Sequence, residues 1–355
     1  MIKILPYIIA VVIPIIINLI LTPILLKIAH NYRWYDEIDH RKIHTGNIPR
    51  IGGMGIAFSF ASTIIIIKFF QTSYSPDITG FIPVSVFWAV VLGSIIINLI
   101  GLLDDFSNLR PLYKLIGQFA AAIVVVISGR YFSEFYIPFF DITIELGIFS
   151  YFLTIIWIVG ITNAINLIDG MDGLSGGVTS IIIFFMAFSA LISNNLTQSM
   201  LLFMLFGSVI SFVIFNFPPA KLFMGDSGSL FLGFFLACMP LYTFTKELSA
   251  YSLILSISFL LIPIIDTLSA IIRRKIRGVP FHSPDMDHIH HKLLKIGLST
   301  KKVLLVFYFF TIIFSFVPFI YIYTRNILFI YIIILLWIVA LILVYLLNLR
   351  TRKKS

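Results

Sequence analysis

Long apolar runs recur along the whole chain, and they constrain its fold more than any other feature. A run such as ILPYIIAVVIPIIINLILTPILL is longer than the roughly 20 residues that a helix needs to cross a hydrocarbon core of about 30 Å. Of the 355 residues, 59% are hydrophobic and only 12% are charged, whereas soluble domains carry roughly 25% charged residues. The sequence therefore predicts an all-α polytopic membrane protein.

Hydropathy predicts about eleven transmembrane helices. No soluble domain interrupts the pattern, so we predict a single integral-membrane domain over residues 1–355. The first run is too long for a signal peptide and lacks a small-residue cleavage site, so it counts as a span. The one cysteine, Cys238, lies in an apolar run, which excludes disulfides and thiolate metal sites. The predicted spans are 3–29, 52–70, 84–103, 113–129, 148–164, 175–193, 198–216, 227–245, 251–272, 303–323 and 327–348.

The basic residues predict the orientation of these spans, because they concentrate in alternate loops. Between the basic loops, the sequence offers little beyond Lys3, Arg130, Lys246 and Arg325. The positive-inside rule makes the basic loops cytoplasmic, with the N-terminus outside and the C-terminus in the cytoplasm. The net charge of +9 thus reflects topology and anionic headgroups, and we find no nucleic-acid signal. The basic loops are 30–51, 104–112, 165–174, 217–226, 273–302 and the C-terminal tail.

One external segment, FYIPFFDITIEL (135–146), is too short and too polar to span a membrane. Its β-branched and aromatic residues, with Pro138 and Asp141 near the middle, predict a small extracytoplasmic β-hairpin.

Most carboxylates lie on the predicted cytoplasmic side, although the positive-inside rule does not require this. Asp104 and Asp105 follow the third predicted span and would repel each other unless a cation lay nearby. Mg²⁺ prefers such oxygen ligands and usually retains waters and substrate phosphates. The alternative for this pair is an ordinary solvated helix end.

The stretch NAINLIDGMDGL repeats an acid followed by a glycine, at Asp169-Gly170 and at Asp172-Gly173. The glycines allow a sharp turn and the close approach of a ligand, and Asn166 presents an amide at the helix end. A capped helix with a polar loop explains one acid and one glycine but not the repeat. We therefore predict a functional loop.

Two proline residues end a span in FNFPPAKLFMGDSGSLFLG, and Asp226 begins the next helix. A helix N-terminus favours phosphate, while simple capping is the alternative role for Asp226. Lys221 and Phe223 add a cation and an aromatic face suited to a nucleotide.

Two further loops are basic. RRKIRGVPFHSPDMDHIHHKLLKIGLS contains three histidines near its end, and it fits a cationic phosphate pocket better than the usual zinc spacings. HRKIHTGNIPRIGG contains Lys42, His44 and Arg50, for which a plain basic loop is the alternative. No Walker-type loop or dinucleotide fingerprint is present, which disfavours an ATP-driven pump.

Taken together, these loops place acids for a metal and bases for phosphates on one face of the membrane. This combination predicts phosphoryl transfer between a lipid and a soluble substrate.

Five motifs, in order KIHTGNIPRIGG, LLDD, NAINLIDGMDGL, FMGDSGSLFLG and PDMDHIHHKLLKIGLS, resemble those of the polyprenyl-phosphate N-acetylhexosamine-1-phosphate transferases of glycosyltransferase family 4 type. The match covers nearly the whole chain. The resemblance implies transfer of N-acetylhexosamine-1-phosphate from a UDP-sugar to undecaprenyl or another polyprenyl phosphate, which releases UMP. It also implies Mg²⁺ as cofactor, with Mn²⁺ as a substitute, a cell-membrane location and an active site on the cytoplasmic face.

The resemblance further implies roles for individual residues. Asp226 corresponds to the Mg²⁺ ligand, and Asp104 and Asp105 to the acidic pair near the lipid phosphate. Asp169 and Asp172 correspond to nucleotide-side acids, and Phe223 to a residue that stacks on uracil. The remaining substrate-binding positions that it implies are Lys42, Asn166, Arg277, His288, His290 and His291, and Asp266 also falls on a motif position.

Two motifs favour the branch that uses N-acetylglucosamine. The peptidoglycan branch carries three consecutive histidines and a Pro-Thr-Met-Gly-Gly stretch, where this chain has His288-Ile289-His290-His291 and Pro49-Arg50-Ile51-Gly52-Gly53. The alternative enzyme is the phospho-N-acetylmuramoyl-pentapeptide transferase of peptidoglycan synthesis. The alternative from another class, a transporter of nucleotide sugars or lipid-linked sugars, would use mid-depth charges and often repeated halves. The sequence leaves a homodimer open.

Overall fold

The computed structural model describes residues 4–35, 47–74, 84–243, 251–278 and 287–352, and within these ranges the chain is mostly helical. The helices are α1 (Leu5–Tyr32), α2 (Gly52–Tyr74), α3 (Val84–Ser107), α4 (Pro111–Ile127), α5 (Phe149–Ile168), α6 (Leu174–Ile192), α7 (Leu196–Asn216), α8 (Gly225–Cys238), α9 (Pro240–Thr243), α10 (Ser252–Phe259), α11 (Leu261–Ile276), α12 (Ile289–Lys295), α13 (Thr300–Thr324) and α14 (Leu328–Arg352). The two strands are β1 (Glu134–Ile137) and β2 (Ile142–Glu145).

Each predicted span overlaps at least one of these helices, and the multi-pass architecture is confirmed. Among the described residues, eight helices are long and apolar enough to cross a membrane. The count becomes nine if α10 and α11, which meet at an 81° bend, form one span. Helix α4 has only 17 residues and α8 only 14, both shorter than a usual span. The count of eleven spans and their orientation therefore stay predictions.

The predicted hairpin is present. Strands β1 and β2 pair antiparallel, with Glu134 opposite Glu145 and Ile137 opposite Ile142. The turn between them includes Asp141 in the left-handed region, at φ 53°, which a short polar side chain tolerates. The Tyr136 hydroxyl donates a 2.8 Å hydrogen bond to the Asp141 carboxylate and thereby braces the turn.

Helix α8 forms the centre of the bundle, because every residue from Gly225 to Cys238 is buried. It packs against α2, α3 and α5, as expected for a helix that is apolar on nearly all sides. A Cβ on Gly53 would lie 2.1 Å from the Gly228 nitrogen, and one on Gly101 would lie 2.4 Å from the Ser227 Cα. These two glycines therefore let α2 and α3 approach the first turn of α8, where the polar site begins.

Candidate active site

The segment that precedes α2 is tied to the segment that precedes α8. Three backbone hydrogen bonds of 2.9, 2.9 and 2.7 Å join residues 49–53 to residues 223–224. This pairing holds Arg50 beside the first turn of α8. Its guanidinium contacts Asp226, and its Nε lies 3.3 Å from Asp105 Oδ1. Arg50, which the sequence analysis placed in a candidate basic loop, thus reaches two carboxylates.

Asp105 caps the start of α8. Its Oδ1 accepts a 2.7 Å hydrogen bond from the Asp226 backbone N–H. Its Oδ2 accepts bonds from the Ser227 backbone N–H at 3.0 Å and from the Ser227 hydroxyl at 2.6 Å. A carboxylate is favourable at a helix N-terminus, where the unsatisfied N–H groups and the helix dipole attract negative charge. Asp105 therefore positions Asp226, while its neighbour Asp104 has different partners.

Lys114, near the start of α4, joins the other two carboxylates. Its Nζ lies 3.1 Å from Asp104 Oδ2 and 2.8 Å from Asp226 Oδ2. Asp226 is buried, and the two cations Arg50 and Lys114 compensate its charge, as buried charges require. The sequence reasoning did not single out Lys114. The sequence did offer one sign of its importance: Lys114 is a lone charged residue within the first turn of the predicted span 113–129, and charges inside spans are often functional.

The carboxylates suit a magnesium ion by their chemistry. Asp104 and Asp226 direct one oxygen each at the same ammonium group of Lys114, so a cation already lies between them. Over the described ranges, no group of three or more His, Cys, Asp or Glu side chains is arranged to hold a metal. Mg²⁺ is usually bound through one or two carboxylates, with waters and substrate phosphates completing its shell. The pair therefore fits Mg²⁺, whose binding stays a prediction.

A cavity of about 850 Å³ opens beside this cluster. Its volume lies within the range usual for small-molecule sites. The segment NAINLIDGMDGL (163–174), called the acidic loop below, forms part of the cavity wall. A hydrogen bond fixes its position there: Asn166 Nδ2 donates to Ser229 Oγ at 2.9 Å. In addition, Asp172 Oδ2 accepts a 3.0 Å hydrogen bond from the Ala220 N–H. The predicted site residues that line this cavity are Asn166, Asp169, Asp172, Phe223, Asp226 and His291.

Asp169 follows α5 directly and lines the same cavity. The surrounding protein desolvates its carboxyl group, and this burial raises its pKa well above the usual range. The positive charge of Arg50 opposes the shift, and the negative charges of Asp226, Asp105 and Asp172 reinforce it. A raised pKa extends the pH range in which this carboxyl group carries a proton that it could donate to a ligand.

The two glycines of the acidic loop have different surroundings. Gly170 is exposed and lines the cavity. Gly173 is buried, in the left-handed region at φ 75°, where glycine carries no steric penalty. Its N–H donates to Asn216 Oδ1 at 2.8 Å, and its carbonyl accepts a 2.6 Å bond from the Tyr308 hydroxyl. Gly173 therefore turns the chain, and only Gly170 is placed for close approach of a ligand.

A buried carboxylate anchors the first histidine of the cluster. Asp266 Oδ2 lies 2.8 Å from His288 Nδ1, and Asp266 Oδ1 accepts a 2.8 Å bond from the Ile289 N–H. This pair fixes the start of α12 against α11. The motif position of Asp266, to which the sequence gave no firm role, is thus a structural anchor for the histidines.

The other two histidines differ in access to the cavity. His290 is buried beside the acidic loop, where a Cβ on Gly170 would lie 3.0 Å from its Nε2. Among the residues that the structure describes, neither ring nitrogen of His290 has a hydrogen-bond partner. Burial, with a contribution from the charge of His291, lowers the pKa of His290 to about 3. Burial also lowers the pKa of His291, which is the histidine that lines the cavity.

Arg277 belongs to an exposed ion-pair cluster beside the histidine motif. It is exposed and pairs with Asp287 at 2.6 Å, and Lys295 contacts the same carboxylate at 2.9 Å. Although burial opposes the shift, these two cations hold the pKa of Asp287 below its usual range. Arg277 does not line the cavity, and the predicted substrate residue Lys42 lies outside the described residues.

Fold and site together define a multi-pass membrane protein with a charge-compensated acidic cluster beside a nucleotide-sized cavity. The family model described as Glycosyl transferase family 4 matches residues 87–244, which include the acidic pair, the acidic loop and the start of α8. This chain belongs to glycosyl transferase family 4, as its motifs indicated and as a relative that is 34% identical over 87% of the chain shows.

Similarity to relatives extends beyond that segment. The chain is 34% identical over 308 residues to the probable undecaprenyl-phosphate N-acetylglucosaminyl 1-phosphate transferase of Bacillus subtilis, covering 87% of this chain and 83% of that protein. It is 34% identical over 292 residues to the decaprenyl-phosphate N-acetylglucosaminephosphotransferase of Mycobacterium leprae, covering 76% and 72%. It is 24% identical over 281 residues to the undecaprenyl-phosphate alpha-N-acetylglucosaminyl 1-phosphate transferase of Escherichia coli, covering 78% and 73%.

Proposed function

We propose that this protein transfers N-acetylglucosamine-1-phosphate from UDP-N-acetylglucosamine to a polyprenyl phosphate at the cytoplasmic face of the cell membrane. The observation that carries the proposal is the 34% identity, over 87% of this chain, to a relative named for that activity. The cavity beside α8 supports it, because acids and bases surround a space large enough for a nucleotide sugar.

The reaction is a displacement at phosphorus. An oxygen of the lipid phosphate attacks the β-phosphorus of the donor, the bond from that phosphorus to the bridging oxygen breaks, and UMP leaves. Arg50 and Lys114 offset the repulsion among the phosphates and stabilise charge on the departing UMP. Asp226 contacts these two cations, which makes it a poor nucleophile. This favours direct displacement over an aspartyl-phosphate intermediate.

The other residues bind and orient the donor. Phe223 offers its ring to the uracil, and Asp169 and Asn166 face the nucleotide from the opposite segment of the cavity wall. His291 contacts the pyrophosphate or the sugar. Mg²⁺, when bound at Asp226 and Asp104, supplies charge neutralisation at the phosphates. Lys114, which contacts both carboxylates, would then be available to neutralise phosphate oxygens.

The test is UMP release by the purified protein with undecaprenyl phosphate and UDP-N-acetylglucosamine. We expect UMP only when both substrates are present, and a strong decrease when Mg²⁺ is chelated. Asp226→Asn removes a charged ligand and should lower turnover at least about 100-fold, the scale of losing one strong electrostatic contributor. Asp141→Asn, which makes the same change in the hairpin turn, is the matched control and should retain wild-type turnover.

Two outcomes would contradict the proposal. Robust turnover of UDP-N-acetylmuramoyl-pentapeptide, with none of UDP-N-acetylglucosamine, would show that the proposed donor is wrong and that the reaction class is right. Normal UMP release by Asp226→Asn without Mg²⁺ would refute the role of the acidic cluster.

A further inference from the structure

A second cavity, of about 1050 Å³, lies between α2 and α3 and is backed by α8. We call it the α2–α3 groove. Its walls are apolar and include Ala61, Ile95, Phe231 and Phe235. Ile65 on one side is 68% exposed and Ile95 on the other is 49% exposed. The groove therefore opens sideways between membrane helices, where lipid chains lie.

The groove is separate from the 850 Å³ cavity beside α8, which is called the catalytic cavity below because it is the proposed donor site. Its inner end reaches Asn98 and Leu102 of α3, but the close contacts of Gly53 and Gly101 with α8 block the path to the carboxylates. Among the described residues, none lines both cavities. An occupant of this groove is thus a different molecule from the nucleotide sugar.

The end of the groove remote from the carboxylates is polar and basic. Lys68, Arg130, Asn195 and Gln198 line it together with Tyr242. The Arg130 guanidinium carbon lies 5.2 Å from the centre of the Tyr242 ring, in the range of a cation–π contact. Asn195 Nδ2 donates a 2.6 Å bond to the Tyr242 carbonyl. Lys68 and Arg130 therefore both lie at the end where the apolar groove reaches the membrane surface.

An unsatisfied acceptor lies at the same end. Gln198 is only 5% exposed, and its amide nitrogen donates to the Met239 carbonyl at 3.2 Å. Its Oε1 has no hydrogen-bond partner in the described structure, and neither does the Ser94 hydroxyl farther along the groove. A buried acceptor without a partner costs about 1–3 kcal/mol, so a donor group on an occupant would satisfy it.

We propose that the α2–α3 groove binds an anionic phospholipid with a hydroxylated headgroup, in the leaflet remote from the catalytic cavity. Its phosphate contacts Arg130 and Lys68, a headgroup hydroxyl donates to Gln198, and an acyl chain fills the apolar groove. Basic pockets between membrane helices bind anionic lipid headgroups on the cytoplasmic side, and the same charge attraction would act on an anionic headgroup in the other leaflet. From Trp88 to Leu102 the groove follows α3 for about 21 Å, longer than the roughly 15 Å of one hydrocarbon leaflet, so it accommodates a whole acyl chain.

The test is native mass spectrometry of the full-length protein, titrated with phosphatidylglycerol or with phosphatidylcholine. We expect phosphatidylglycerol to bind more tightly. Arg130→Gln should weaken its binding about five-fold, the effect of one basic residue at a lipid surface. Ala61→Trp should abolish it by filling the groove. Arg325→Gln, an exposed cation between α13 and α14, and Ala120→Trp, an exposed alanine of α4, are the matched controls and should bind like wild type.

Several results would overturn the proposal. Equal affinity for the two lipids, or unchanged binding in Arg130→Gln, would show that Arg130 does not form a site for an anionic headgroup. Loss in Arg130→Gln with normal binding in Ala61→Trp would place the lipid outside the groove. A dimer that Ala61→Trp dissociates would show that a second copy covers this face. Because the readout is lipid binding, none of these results depends on whether the transferase reaction is correctly proposed.

Discussion

At the scale of single residues, the main feature is how the protein tolerates several carboxylates in one place. Both carboxylate oxygens of Asp105 accept hydrogen bonds from backbone N–H groups of α8. Asp104 and Asp226 instead both contact the Lys114 ammonium. Buried carboxylates without such partners would take up protons or destabilise the fold. In the proposed reaction, Arg50 and Lys114 would exchange these carboxylate contacts for substrate phosphates.

His290 gives a pH-dependent prediction. Its pKa is about 3 in the folded protein and roughly 6.5 in an unfolded chain. Between these values the unfolded state binds a proton that the folded state excludes, so His290 lowers stability as the pH falls below about 6.5. We expect His290→Gln to show a smaller drop in thermal unfolding temperature between pH 7 and pH 5 than wild type does.

The control for this prediction is His30→Gln, which makes the same substitution at an exposed position. An identical drop in all three proteins would show that His290 is not held neutral by the fold.

At the scale of elements, the first turn of α8 depends on its neighbours for its position. Gly101 and Gly53 permit contact between backbones, and Asp105 then reaches the N–H groups of the turn. The buried length of α8 is thus held at one end by polar contacts and along its sides by apolar packing.

Gly101→Ala should separate α3 from α8. The added Cβ would lie 2.4 Å from the Ser227 Cα, and overpacking of this kind costs about 1–3 kcal/mol. We expect the variant to have a lower unfolding temperature. We also expect it to release much less UMP, because moving α3 away from α8 would weaken the hydrogen bonds from the first turn of α8 to Asp105. Gly160→Ala in α5 is the matched control, since a Cβ there meets nothing within 4 Å. Equal behaviour of the two variants would refute the packing argument.

At the scale of the whole molecule, the polar site lies at one end of the bundle and the α2–α3 groove leads to the other. Residues 299–301 line the catalytic cavity, and α13 runs from there to the opposite end, near Arg325. The two ends of this one helix can therefore report the orientation of the protein in the membrane.

Cysteine labelling tests the predicted orientation directly, because the one cysteine of the chain, Cys238, is buried. We expect Asn326→Cys to react with a membrane-impermeant maleimide in intact cells. Ser299→Cys should react only after the membrane is opened. Labelling of Ser299→Cys in intact cells would place the catalytic cavity outside and contradict the proposed use of a cytoplasmic donor.

The sequence by itself determined the membrane class, the hairpin and the loops on which the candidate site residues lie. It could do so because helix length, turn residues and motif composition are local properties of the chain. Residue types and spacing likewise made the acidic loop and Asp226 candidates for a functional site, and the structure places both beside one cavity.

Only the tertiary structure decided which charges meet. Lys114 and Arg50 reach the same carboxylate from segments far apart in sequence, and no local pattern encodes that distance. The division of roles between Asp104 and Asp105, adjacent in the chain, depends on the direction in which α3 presents each side chain to α8. Likewise, the ring centres of His290 and His291 lie 4.2 Å apart, yet only His291 lines the cavity. This difference follows from how α12 packs, because burial is a property of the assembled helices and not of the motif.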